Sequence, residues 1–353
     1  MSSIAHTRPF VVGVDTHARS HVYAILTATG EVIETHEFPT NGAGINRAID
    51  SAGRRTGGDL STLWVIEGAA SYGAPLTAAV TGYQVAEAPR MGRHLGHGVG
   101  KSDPLDAQRI AAAVLPLDDS QLRTPRLGDG VRAALRVLVA ARESMTGERT
   151  RCTNALTALL RVNDLGIDAR KPLNGPQIRE VSRWRTRSEH LAISIARAEA
   201  VRLAKRIRDL DDELTTNLAQ LTELIRVSEA APLLDEMDFG PVSLAICLTA
   251  WSHAGRIHTE AAFASMAGVN PIPASAGNTI RHRLNRGGDR RLNHAHHMVA
   301  LSRMIHDDET RAYVEKRRAE GRTTKEIRRS IKRYLARRVY RVLNTTQPAT
   351  SPA

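Results

Sequence analysis

Two short apolar runs within the first seventy residues each stop at a carboxylate. "FVVGVD" (Phe10–Asp15) and "TLWVIEG" (Thr62–Gly68) are too short for helices and rich in β-branched and aromatic residues, so both read as strands. Between them, "HVYAILTATG" and "EVIETHEFPT" are separated by a Thr-Gly turn and read as a hairpin, and "GAGINRAIDSAGRRT" suits a helix. After the second run come a helix in "SYGAPLTAAVTGY", a strand in "QVAEAP" and a helix in "DPLDAQRIAAAVL". Ser102 is placed to cap that last helix, with Pro104 in its first turn.

Three hairpin-linked strands, then helix, strand, helix, strand, helix, is the order of an α/β RNase H-like (RuvC-like) domain. In such folds the acids ending the first and fourth strands, here Asp15 and Glu67, approach each other across the sheet. Asp103 and Asp106 in "KSDPLDAQR" are an i,i+3 pair on one helix face. Four converging carboxylates repel unless a divalent cation neutralises them, and an all-oxygen set suits Mg²⁺, with Mn²⁺ as substitute. Two such ions about 4 Å apart clamp the attacking and leaving oxygens of a phosphodiester displacement. Taken singly, each acid has an ordinary explanation, such as Asp103 favouring a helix N-terminus. The joint pattern carries the expectation. His17 points to the same side as Asp15 in an extended chain and lies in reach of such a site, although a strand-end polar residue is the simpler reading. Trp64 reads as core.

From about Val131 to Ser228 apolar residues recur at three- and four-residue spacing, interrupted by "NDLGIDARKPLNGP". Two long helices are expected, folded as a hairpin or paired with a second chain as a coiled coil. "MDFGPVSLAICLTAW" suggests helix–Gly-Pro–helix, and "EAAFASMAGVNP" a helix ending at Gly268. A small turn, Ser275-Ala276-Gly277, precedes basic helices running to about Leu343, and "NTTQPATSPA" reads as a disordered tail. Of 49 basic and 37 acidic residues, 19 and 7 fall between Arg281 and Arg341, a surplus equal to the whole chain's +12. A cationic face so localised is the electrostatic footprint of a nucleic-acid partner, and arginine's planar fork suits phosphate. Arg281, Arg283, Arg286, Arg290, Arg291, Lys325, Arg328, Arg329, Lys332 and Arg333 are the candidate contacts; a solvated helix is the plain alternative. His294, His296 and His297 read as helix surface near nucleic acid, and Gly287-Gly288 as a close turn or DNA approach. Cys152 and Cys247 read as reduced, packed thiols. No apolar run is long enough for a membrane span and no signal sequence is visible, so a cytoplasmic protein is expected.

"GVDTH", "VIEG", "KSDPLDA" and "GVNPIPASAGNTIRHRLNRGGDRRLN" together resemble the DEDD-type transposases of bacterial insertion sequences, relatives of the Piv invertase, some of them guided by a bridge RNA. The resemblance spans nearly the whole chain. It implies a RuvC-like domain over 8–125, a helical or coiled-coil segment over 126–228, a mostly α-helical C-terminal transposase domain over 229–344 and a tail over 345–353. It implies further that Asp15, Glu67, Asp103 and Asp106 hold Mg²⁺, and that a serine of the C-terminal domain attacks a DNA phosphate to form a phosphoserine. Donor and target DNA, a structured guide RNA, and a homo-oligomer (dimer or tetramer) at the bacterial nucleoid complete the implied assembly.

In the family this turn commonly reads Ser-Ser-Gly, with the serine before glycine as nucleophile. Here that position is Ala276, which has no oxygen to attack phosphorus. Either Ser275 takes the role or this chain is impaired at the serine step. Two other classes remain: a RuvC-like junction nuclease in which water attacks and no serine is needed, and a non-catalytic binder of nucleic acid.

Overall fold

The computed structural model describes residues 2–89, 102–126, 128, 130–236, 238–274 and 282–346. The chain divides into two compact units, Met1–Gly128 and Asp129–Ala353.

The first unit opens with a single-turn helix α1 (Ile4–Thr7), followed by β1 (Phe10–Thr16), β2 (Ser20–Thr27), β3 (Val32–Pro39), α2 (Gly42–Arg55), β4 (Leu63–Ile66), α3 (Ala74–Ala79), β5 (Gln84–Glu87) and α4 (Asp103–Ala112). The five strands form one mixed sheet in the order β3-β2-β1-β4-β5. β1 runs antiparallel to β2 and parallel to β4. Strand alternation sorts the apolar residues into two layers. Val11, Leu63 and Val65 face Ala107, Ile110, Ala111 and Val114 of the α4 segment. Val12, Val14, Trp64 and Ile66 face Ile45, Ala48 and Ala52 of α2 and Leu76 of α3. β1, β2 and β4 are buried on both faces, whereas the edge strand β3, with its Glu34, His36 and Glu37, is largely exposed.

Gly13 sets how closely α4 approaches. A Cβ there would lie 2.3 Å from the Ala107 carbonyl oxygen and 2.6 Å from the Ala111 amide nitrogen. The helix backbone therefore rests on the strand backbone, and only glycine permits it. Ser102 is the N-cap of α4 by conformation, but its side chain makes no capping hydrogen bond.

The second unit is helical apart from one small hairpin. α5 (Gly130–Val162) and α7 (Leu191–Arg226) lie along each other, with α6 (Gly175–Ser182) packed on α7. Arg206 Nε reaches Glu148 at 2.7 Å, Arg142 donates to the Leu214 carbonyl at 2.9 Å, and Arg149 pairs with Asp211. The hairpin closes within the chain. The sequence expectation of a helix just before Gly240-Pro241 fails. Asp238 there adopts φ 74°, and its carboxylate accepts a hydrogen bond from Ser302. The helix after Gly240, α8 (Pro241–Trp251), is apolar around its circumference and buried, which places it at the centre of the core rather than against a ligand.

Around α8 pack α9 (Glu260–Met266), the antiparallel pair β6 (Pro271–Pro273) and β7 (His282–Leu284), α10 (Arg290–His306), α11 (Asp308–Ala319) and α12 (Thr324–Thr345). Gly268 ends the α9 segment at φ +64°, and the Val269 amide returns to the Ala264 carbonyl at 2.9 Å. Gly288 sits on that backbone: a Cβ there would lie 2.4 Å from Gly268 N. The close approach expected of the Gly287-Gly288 pair is thus made by Gly288 to the protein's own chain. Cys152 is half-buried, Cys247 buried, and both are free. No described helix is long and apolar enough to cross a membrane.

Candidate metal centre and cationic cleft

β1 and β4 are parallel neighbours, with Gly13 beside Val65 and Val14 beside Ile66, so the next pair in register is Asp15 and Glu67. Alternation turns both toward the α4 face, with Val11 and Gly13 behind Asp15 and Leu63 and Val65 behind Glu67. Thr16 Oγ1 donates to the Glu67 carbonyl at 2.9 Å, and the Glu67 amide donates to the Val14 carbonyl at 3.0 Å, which ties the two strand ends together. Helix α4 begins above them. Its buried stripe, Ala107, Ile110 and Ala111, places Asp103 and Asp106 in the turn nearest the strand ends.

Asp15 is buried. His17 Nε2 lies 3.2 Å from Asp15 Oδ2 and 3.6 Å from Asp103 Oδ2, and ligand atoms of these three residues all fall within 4.8 Å of one another. Glu67 and Asp106 stand beside this trio. Burial, then the Asp15 carboxylate and its hydrogen bond, then Asp106, raise the Glu67 carboxyl above its ordinary range. Asp106 is bridged to Arg109 at 3.0 Å. His17 is the member that strand parity flagged and a structural reading discounted; its amide bonds to Ser20 O and His21 Nδ1 hold it in the turn after β1.

The donor set fits a hard divalent ion. Two ligand atoms cis about an ion with bonds of about 2.1 Å lie roughly 3 Å apart, close to the observed His17 separations. One imidazole among carboxylates shifts the balance from Mg²⁺ toward Mn²⁺.

In the second unit the cationic residues separate into groups. Arg283, Arg329, Lys332 and Arg333 line one cleft of about 650 Å³. Arg286, Arg290, Lys325 and Arg328 lie outside that lining, and Arg291 is paired with Glu143. Lys332, one of the candidate contacts on the cationic face of α12, is buried, because α12 packs against α10 along Ile331, Leu335 and Val339. His296 also departs from the surface reading. It is 1% exposed, Nδ1 meets the Leu292 carbonyl at 2.8 Å, and burial pushes the imidazole down to about 4. Ser275, Ala276 and Arg281 lie outside the described residues.

Two regions of the chain match known protein families. Residues 12–162 match a family profile described as a transposase, of the DEDD IS110 type, and residues 233–315 match the transposase IS116/IS110/IS902 family. The chain is 26% identical to the uncharacterized 43.6 kDa protein of insertion element IS110 from Streptomyces coelicolor, over 88% of each chain. It is 25% identical to the uncharacterized 42 kDa protein of insertion element IS900 from Mycobacterium paratuberculosis, over 89% of this chain and 90% of that one. The two profile matches assign the chain to the IS110-type family of insertion-sequence transposases, and both relatives are proteins of insertion elements.

Proposed function

We propose that the chain is a DNA transposase or recombinase whose first unit is an RNase H-like metal domain and whose second unit carries the serine turn. The observation that carries this reading is the gathering of Asp15, His17, Glu67, Asp103 and Asp106 at the C-terminal ends of β1 and β4 and the start of α4, in a chain of this transposase family. Asp15, Glu67, Asp103 and Asp106, with His17, would hold Mg²⁺ or Mn²⁺. Such ions, when bound, supply Lewis-acid stabilisation of an attacked phosphate. The rest falls to the chain: Asp15 and Glu67 are fixed by the sheet, α4 brings its two carboxylates to them, and the arginines of the second unit hold DNA by its backbone.

In this reading a serine oxygen of the 275–277 turn bonds to phosphorus as the bond from phosphorus to the strand's own oxygen breaks, and the serine proton passes through solvent to that oxygen, which leaves as a hydroxyl. A structured guide RNA pairs with donor and target DNA, and two or more copies of the chain bring metal domain and serine turn together. Ala276 stands where the family places the nucleophile, so the chain as it stands is impaired at this step. The test is Ala276→Ser incubated with Mg²⁺, guide RNA and DNA, then denatured. A protein–DNA adduct absent from the Ala276 form supports the reading.

Ala276 also favours a second reading, hydrolysis by the first unit alone, as in a junction nuclease. Magnesium-dependent nicking without adduct in either form selects it. Binding without any cutting by either form selects a non-catalytic role.

A further inference from the structure

Lys332 poses a charge problem that the fold does not solve. The residue is 7% exposed, yet among the described residues no carboxylate pairs with it. Its ammonium donates to Asn293 Oδ1 at 2.7 Å. That amide is oriented by its own Nδ2, which donates to the Ala267 and Gly268 carbonyls at 2.8 and 3.2 Å. One neutral acceptor satisfies one of three donors. Arg328 and Arg329 add like charge, and burial with these neighbours holds Lys332 below the ordinary lysine range. A buried cation persists in a fold when something pairs with it.

The residues around Lys332 suit an anion. Lys332 lines the same cleft as Arg283, Arg322, Arg329 and Arg333. Arg333 Nη1 is itself buried and has no hydrogen-bond partner among the described residues. Glu326 also lines the cleft, but its carboxylate is held by the Thr323 amide at 2.9 Å and hydroxyl at 2.8 Å, so it caps α12 and leaves Lys332 unpaired. The opposite wall comes from Gly268–Pro271 and from His282 and Arg283 of β7. β6 and β7 pair Ile272 with Arg283 and Pro273 with His282, so these strands bracket the sequence that carries Ser275 and Ala276.

We infer that this cleft seats one phosphodiester of a DNA strand, with Lys332 as its buried counter-charge and Arg283, Arg329 and Arg333 around it. The inference rests on the nucleic-acid reading above and deepens it. It makes Lys332 a positioning group for a DNA phosphate, distinct from the general basic surface. A cation kept for a ligand is a burden to the free protein, and that separates the inference from a structural role for Lys332.

The experiment compares the full chain with Lys332→Met, which keeps the stem and removes the charge, and with Arg329→Gln on the exposed rim. The probes are a fluorescent 20-nucleotide single-stranded DNA and the RNA of the same sequence, titrated at several salt concentrations, alongside thermal melting. Lys332→Met should weaken DNA binding about tenfold, reduce the salt slope by about one and melt no lower than the parent. Arg329→Gln should also reduce the salt slope by about one. Parent-like DNA binding in both variants overturns the inference, as does a melting loss in Lys332→Met with Arg329→Gln unchanged in DNA affinity. Loss of RNA binding with DNA binding intact overturns the assignment to DNA. If the parent binds neither probe, the nucleic-acid reading itself fails.

Discussion

Gly13→Ala is a one-methyl perturbation aimed at the hinge of the account. By backbone propensity alone, alanine in a strand interior improves on glycine by roughly 0.5–1 kcal/mol. The structure argues for the opposite sign. The added carbon would sit 2.3 Å from Ala107 O, 2.6 Å from Ala111 N and 2.8 Å from Ala111 Cβ. Two of those are helix backbone atoms, which cannot rotate aside, so α4 must lift by about 1 Å to restore ordinary contact. Overpacking of this kind costs about 1–3 kcal/mol. The same lift carries Asp103 and Asp106 away from Asp15 and Glu67, and a metal set tolerates displacement of only about 0.5 Å. The expected result is a lowered melting temperature together with a loss of about tenfold or more in Mn²⁺ affinity by calorimetry. Gly53→Ala, within α2, meets no atom closer than 3.9 Å and is the control; it should be neutral or slightly stabilising with Mn²⁺ binding unchanged. A Gly13→Ala chain as stable as its parent, or one that loses stability while binding Mn²⁺ as well as its parent, refutes the argument that this contact positions the carboxylates.

Two further predictions follow from buried or clustered histidines. His296 is held neutral by burial at about 4, against an ordinary value near 6.5. The unfolded chain therefore binds the extra proton first, so the contribution is intact above about pH 6.5 and is lost as pH falls toward 4, by about 3 kcal/mol in total. Urea unfolding of His296→Leu should show a correspondingly flatter loss over that window; an unchanged profile contradicts this. For His17, the geometry predicts nitrogen coupling to bound Mn²⁺ in pulsed electron paramagnetic resonance of the parent and its disappearance in His17→Ala, together with weaker binding. A signal that survives the substitution removes His17 from the ligand set.

What the sequence made legible was local or periodic. Strand-end acids, the i,i+3 pair in α4 and the hydrophobic faces of β1 and β4 all follow from period and chain order. What stayed hidden required a partner from elsewhere in the chain. Gly13 reads as a weak strand residue until α4 lies upon it. His17 had the right parity, but parity alone does not say that Asp103 arrives on its other side. His296 repeats at i+4 from Leu292 and precedes the buried Val299 by three, so the apolar stripe of α10 did mark it; three clustered histidines drew the reading to the surface instead. Lys332 follows Ile331 on the edge of the α12 stripe, and its burial depends on α10, which periodicity within α12 cannot show. The expected helix before Gly240 failed because Asp238 takes a left-handed turn held by Ser302, a contact sixty-four residues away in sequence.

The direct measurement of the central claim is Mn²⁺ binding to the purified full chain, read by titration calorimetry and low-temperature electron paramagnetic resonance, for the parent and for Asp15→Asn, Glu67→Gln and Asp106→Asn. Saturable binding in the parent that is abolished by Asp15→Asn and weakened by each of the others, with all four chains equally folded by circular dichroism, is the predicted outcome. Saturable binding that all three substitutions leave untouched, or none in the parent, would contradict it.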